Sequence, residues 1–200
     1  MPTATRRRSC WEVRAMDDAV RLTLPLVREE VRKLRAGDRV LLAGRMLTGR
    51  DAAHKRLYEL ALAGKELPVR IQGECIFYVG PTPAPPGRVI GAAGPTTSSR
   101  MDRYAPLLLD RGLLGMVGKG LRSPEVKEAI VRNGAVYLGA TGGSGALLSR
   151  CIKSVEIVAY PDLGTEAIRA IEVEDFPTIV IIDTEGNDLY EIGPRRYAKL

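Results

Sequence analysis

Leu113-Leu114-Gly115-Met116-Val117 is an apolar run of strand length, and Val136-Tyr137-Leu138 is a second one. Between them, Ser123-Pro124 through Asn133-Gly134 carries the start and stop signals of a helix. A hydroxyl residue suits the cap, proline suits the first helical position because its missing N–H would have no partner there, and glycine suits the exit. Strand, helix and strand in that order predict an α/β protein. The rhythm continues outward. The turn Ala140-Thr141-Gly142-Gly143-Ser144-Gly145 opens a helix through Arg150, and Val155 to Tyr160 reads as a strand. Pro177 to Asp183 reads as another, turned back by Thr184 to Asp188 onto Leu189-Tyr190.

The first half has more β structure. Cys10 to Arg14 alternates apolar and polar residues, and Leu22-Thr23-Leu24 and Arg39 to Gly44 read as further strands. Arg28 to Arg35 is a short charged piece closed by Gly37. Asp51 to Gly64 places Ala53, Leu57, Leu60 and Ala61 on one helical face, and Cys75 to Gly80 is a strand. Pro81-Thr82-Pro83-Ala84-Pro85-Pro86-Gly87 is too proline-rich for a helix and reads as a stiff loop inside one domain. The expected organisation is a basic head over residues 1–9 and a single domain over 10–200.

Hydrophobic residues make up 45% and charged residues 27% of the 200, values of an ordinary globular chain. Aromatics are only 5%, so the core is aliphatic. The net charge of +6 suits an anionic partner, yet beyond Arg6-Arg7-Arg8 there is no basic block and no basic stripe with interleaved aromatics. Small anions therefore fit better than nucleic acid. No apolar stretch reaches the ~20 residues that span a bilayer, and none follows Met1 as a secretory leader would. Three distant cysteines, none in a CxxC pair, and a single histidine predict reduced thiols and no metal site in this chain, consistent with a cytoplasmic protein.

Three junctions carry candidate chemistry. Gly94-Pro95-Thr96-Thr97-Ser98-Ser99-Arg100 follows the apolar run Arg88 to Ala93, read as a buried strand. A helix starting near Thr96 would set the hydroxyls of Thr96 and Thr97 beside Arg100 one turn on, a cradle for a carboxylate. The competing reading is a capped helix with a solvated arginine. Thr48-Gly49-Arg50-Asp51-Ala52-Ala53-His54 is a second strand-to-helix junction, with Asp51 as cap and Arg50 projecting from it. His54 reads as a solvated helix residue. Lys119, between Gly118 and Gly120, follows a strand at the edge where ligands of α/β sheets collect. Three cations at such junctions suit a dicarboxylate, although the acid–base set is incomplete. Two glycine motifs fail as nucleotide sites. A phosphate loop ending at Gly118-Lys119 would need glycine at position 113, which is leucine, and Gly139 to Gly145 lacks the GxGxxG order. The latter leaves open a regulatory module that binds anions without catalysis.

Thr48 to His54, the run Gly80 to Arg88, Gly94 to Asp102 and Gly118-Lys119-Gly120, in this order, resemble the beta subunit of iron–sulfur hydro-lyases of the class I fumarate hydratase and L-tartrate dehydratase type. The resemblance covers nearly the whole chain from about Cys10. It implies a swivelling β/β/α domain with a mixed sheet and flanking helices. It also implies a heteromeric enzyme, a homodimer of alpha-beta pairs whose alpha subunit holds a [4Fe–4S] cluster, with no cofactor in this chain. The implied reaction is reversible hydration of fumarate to (S)-malate, with tartrate dehydration as the alternative. By resemblance, Thr96 is the acid–base group and Arg50, Arg100 and Lys119 hold the substrate; Thr97, Asp51 and His54 are further candidates for substrate binding.

Overall fold

The computed structural model describes residues 18–198. The stretch Cys10 to Arg14 and the basic head lie outside the described residues. Seven strands form one mixed sheet: β1 (Val20–Leu24), β2 (Arg39–Thr48), β3 (Cys75–Phe77), β4 (Gly115–Gly118), β5 (Val136–Gly139), β6 (Ile152–Ala159) and β7 (Ile168–Ile182). Six helices accompany them: α1 (Arg28–Val31), α2 (Asp51–Leu62), α3 (Ala105–Asp110), α4 (Pro124–Asn133), α5 (Gly145–Cys151) and α6 (Leu189–Tyr197). Two 3₁₀ turns, Ser98–Met101 and Pro161–Glu166, complete the described elements.

Strands β1 to β5 run parallel in sequence order, and β7 runs antiparallel to them. Strand β7 is long enough to pair with β2 on one edge and β5 on the other. Ile179 lies opposite Arg39 of β2 and opposite Gly139 of β5. The pairings β2-β3-β4-β5-β7 therefore close on themselves, and β1 and β6 extend the sheet outside the ring.

Parallel strands are short and apolar here because both faces are covered. Along β3, Cys75 and Phe77 belong to one buried cluster and Ile76 to the other. Along β5, Val136 and Leu138 face the first cluster and Tyr137 the second. The first cluster lies between the β2–β5 strands and β7, where Phe77 meets Phe176 edge-on at 5.2 Å. The second lies under the helices, with Leu57 of α2, Leu108 of α3 and Ile130 of α4 packed on Ile76, Met116 and Tyr137. The period of two thus distributes each strand between two cores.

The strand–helix–strand unit around α4 matches its sequence signals, with Gly134 left-handed at φ 60° after the last turn. Ser123 holds the cap position, but it is its N–H that is engaged, donating to Asp102 Oδ2 at 2.7 Å. Two expectations are corrected. Arg88 to Ala93 forms no strand; Gly91 instead passes so close to Thr82 and Pro83 that a Cβ there would lie 2.3 Å from the Thr82 carbonyl. Prolines upstream remove the N–H donors that a ladder needs. Leu189-Tyr190 begins α6 and is no strand, because Asp188 caps the helix by accepting from Tyr190 N at 2.9 Å.

Gly118, at the end of β4, shows how tightly the layers meet. A Cβ there would lie 2.0 Å from Ser98 Oγ and 3.0 Å from the Tyr78 ring. Gly118→Ala must displace the Ser98 hydroxyl from its partner Tyr137 and overpack the layer. It should cost about 2 kcal/mol, read as a lower urea midpoint at unchanged m-value.

Candidate active site

Because β2, β3 and β4 are parallel, their carboxyl ends share one edge, and the three junctions marked in the sequence leave from it. Strand β2 ends at Thr48 and α2 starts at Asp51, which puts Arg50 at the N-cap position. Strand β3 runs on through Tyr78, whose carbonyl accepts from Thr96 N at 2.7 Å. Strand β4 ends at Gly118, and Lys119 pairs with Thr97 in an isolated parallel bridge, its carbonyl accepting from Ser98 N at 2.9 Å. The 96–102 segment is thus laid across the ends of β3 and β4 as an extra strip of backbone.

The side chains gather in two linked groups. Arg100 Nε donates to Asp51 Oδ1 at 2.8 Å, and Arg50 Nε lies 3.6 Å from Asp51 Oδ2. Arg50 rests on the bare backbone of Gly80, where a Cβ would sit 2.6 Å from its Nη1. Lys119 Nζ donates to Thr97 Oγ1 at 3.1 Å, and its stem lies against Gly142. Thr96, half-buried, precedes Thr97 at the start of the same strip. No helix begins at Thr96: Thr97 precedes a 3₁₀ turn over Ser98–Met101, and Arg100 belongs to that turn.

His54 is fully buried, not solvated. The Arg50 carbonyl, which can only accept, lies 3.1 Å from Nδ1, so the proton sits on Nδ1 and Nε2 is bare. Nε2 is buried and has no partner among the described residues, and the ring meets Tyr78 edge-on at 5.0 Å. Burial holds the imidazole at about 4, with the Arg122 charge adding to the depression against the opposing Arg50 carbonyl bond.

Beneath the strip lies a buried ion pair that sequence reading did not single out. Arg122 Nε donates to Asp102 Oδ1 at 2.7 Å, with both side chains almost wholly enclosed. The guanidinium is sandwiched between the rings of Tyr78 and Tyr137, 5.5 and 4.9 Å from their centroids. Asp102 also takes Ser123 N, so one carboxylate ties the strip to the start of α4. The Tyr137 hydroxyl lies 2.9 Å from both the Gly120 carbonyl and Ser98 Oγ. It donates to the carbonyl, and the Ser98 hydroxyl donates to it. Asp102 was visible in the sequence as the end of the hydroxyl-rich motif, but nothing local connects it with Arg122. The glycine-rich turn before α5 serves packing: Gly145 abuts Gly94 and its carbonyl accepts from Ala93 N at 3.0 Å.

A family model described as the fumarase C-terminus matches residues 2–193. The chain belongs to this family. It is 48% identical over 155 residues to "Fumarate hydratase class I, anaerobic" of Escherichia coli (strain K12), which covers 76% of this chain and 28% of the relative. It is 40% identical over 166 residues to "Fumarate hydratase 2" of Leishmania major, 82% of this chain and 29% of the relative. The chain thus spans under a third of these relatives' length. With "Putative L(+)-tartrate dehydratase subunit beta" of Methanocaldococcus jannaschii the match is 36% over 182 residues, 88% of this chain and 93% of the relative.

An iron–sulfur cluster does not fit the described part of this fumarase C-terminal domain. No group of three or more His, Cys, Asp or Glu residues there could hold a metal ion. Cys75 is enclosed in the core, and burial pushes its thiol up, away from the thiolate a metal needs.

Two outcomes test the buried groups. His54 is neutral in the fold and protonates more readily when unfolded, so the unfolded chain gains protons as pH falls from about 6.5 to about 4. The stability contribution is complete above that window and decreases through it by about 3 kcal/mol. Urea titrations at several pH values should show this loss in the wild type and a smaller one in His54→Gln. Asp102→Asn leaves Arg122 buried and uncompensated, and should cost about 3 kcal/mol at neutral pH in the same assay.

Proposed function

We propose that the chain is the substrate-clamping beta subunit of a heteromeric hydro-lyase that reversibly hydrates fumarate to (S)-malate, acting with a [4Fe–4S]-bearing alpha subunit. The observation that carries this reading is that Arg50, Arg100, Thr96 and Lys119 sit at the carboxyl ends of adjacent parallel strands, with Asp51 reaching both arginines. Relatives named as fumarate hydratases support the reaction, and a relative named as a subunit beta supports a separate partner. In this reading the cluster is held by the alpha subunit, in a cytoplasmic complex built from two alpha-beta pairs.

In this reading the outer edge of Arg100 is the first carboxylate contact. Its Nε is engaged by Asp51, which leaves the Nη1–Nη2 pair to meet a carboxylate in a fork. Arg50 and Lys119 add charge for the second carboxylate and for the negative charge that builds as the C3 proton of malate leaves. Thr96, at the start of the strip that carries Arg100, is the group that takes that proton. A free hydroxyl is a poor base, so the surrounding cations must stabilise its alkoxide form. Tartrate is the second reading, favoured by the relative named as a tartrate dehydratase beta subunit, 93% of whose length this chain covers.

The test is to mix the purified chain with its cluster-bearing partner under anaerobic conditions and follow fumarate–malate and tartrate–oxaloacetate conversion. Activity should appear only in the mixture. Thr96→Ala should lower kcat by at least ~100-fold, and Arg100→Lys should raise KM by ~10-fold with a smaller effect on kcat. Near-native turnover by Thr96→Ala removes its assigned role. Activity of the partner alone removes the whole reading.

A further inference from the structure

The start of α2 lacks a cap of its own. Arg50 occupies the N-cap position and its side chain makes no capping bond. The free N–H of Ala52 is satisfied instead by Glu166, 114 residues further along, whose Oε2 accepts it at 2.8 Å. The other oxygen of that carboxylate, Oε1, accepts from Arg50 Nη2 at 2.9 Å. One side chain thus fixes both the backbone from which Arg50 projects and the guanidinium itself. Arg50 also lies on the flat backbone of Gly80, and its Nε is 3.6 Å from Asp51, too far for a hydrogen bond. Among the described residues Glu166 is the only carboxylate hydrogen-bonded to Arg50.

The turn that carries Glu166 is itself braced. Tyr160, left-handed at φ 54°, reverses the chain out of β6 into the 3₁₀ turn Pro161–Glu166. Arg169 donates to the carbonyls of Gly164 at 2.7 Å, Thr165 at 3.0 Å and Ala167 at 3.3 Å, while its own N–H donates to Thr48 Oγ1 at the end of β2. Arg56 of α2 meets Asp162 of the turn with two hydrogen bonds, at 3.0 and 2.6 Å. The turn is held to the end of β2 and the flank of α2 before Glu166 reaches Arg50. Its carboxylate side chain is one-fifth exposed, so the contact with Arg50 is partly shielded from solvent.

We propose that Glu166 is a positioning residue of the dicarboxylate site: it orients the Arg50 guanidinium so that its open edge meets a substrate carboxylate without reorganisation. This rests on the function proposed above and adds a residue to it. A preset fork loses little freedom on binding, whereas an unanchored arginine must first be ordered. The effect belongs in substrate binding rather than in the chemical step.

The experiment is a double-mutant cycle in the active two-subunit mixture, with Glu166→Gln, Arg50→Lys and the double variant. Glu166→Gln keeps the shape and removes the charge; it should raise KM for the dicarboxylate ~10-fold with kcat within ~3-fold. In the Arg50→Lys background the same change should have little further effect on KM. Glu166→Asp restores the charge and should recover part of KM, which keeps the test open if Glu166→Gln folds poorly. Calorimetry of succinate binding to this chain alone should follow the same order. Multiplying KM effects in the double variant, or an unchanged KM in Glu166→Gln beside a lowered melting midpoint, overturns the positioning role and leaves the hydratase reading intact. An inactive wild-type mixture that also fails to bind succinate overturns both.

Discussion

Strand β7 hydrogen-bonds along both of its edges, to β2 on one side and β5 on the other, and the rest of the structure depends on that double pairing. Strands β1 to β5 are parallel and carry α2, α3 and α4 on one face. Left open, such a sheet would expose its second apolar face and two edges. Fifteen residues of β7 cover that face and close the ring. Phe176 from β7 fills the space opposite Phe77 of β3, and β6 hangs on the outer edge of β7. Closure also brings the beginning of β7 to the carboxyl end of β2, so that the turn bearing Glu166 lies beside the start of α2.

The same edge shows how charge is managed near a sheet rim. Three cations, Arg50, Arg100 and Lys119, leave the same sheet edge with partners of different strength. Among the described residues Arg50 hydrogen-bonds a carboxylate, Arg100 shares one through Nε, and Lys119 meets a hydroxyl. The carboxylates of Asp51 and Glu166 offset part of the repulsion among the cations while leaving a net positive edge, as an anion-binding surface requires. Below, the deeply buried guanidinium of Arg122 is neutralised by Asp102 and enclosed by two tyrosine rings. That pair makes the strip 96–102 rigid from beneath, since Asp102 is its last residue and Ser98 is hydrogen-bonded to Tyr137.

Glycines make this compactness feasible where layers touch. Gly80 lets a guanidinium lie flat on the chain, Gly118 admits the Ser98 hydroxyl, and Gly145 lets two backbones meet at Gly94. In each case the neighbour occupies the volume a methyl group would need. Of the glycines that looked like phosphate-binding elements, Gly118 and Gly145 are explained by these approaches.

Much of this architecture could be read directly from the chain. Helix α4 with its proline entry and left-handed Gly134, helix α2, and the buried parallel strands follow from local sterics and apolar periodicity, which act over a few residues. The junctions carrying Arg50, Thr96, Arg100 and Lys119 could be marked too, because strand ends are visible as apolar runs broken at glycine. Tertiary structure alone decided the partners of those side chains. Glu166 and Arg50 are 116 residues apart, Asp102 and Arg122 come from a loop and a helix entrance, and His54 is buried where Tyr78 and Gly49 close over it. Leu189-Tyr190 and the run Arg88 to Ala93 both have strand-like composition. In one, a capping aspartate made a helix; in the other, close packing against Thr82 left irregular backbone. Local rules set which residues extend or coil, whereas the energy of a buried charge or an unpaired N–H depends on whatever the fold brings beside it.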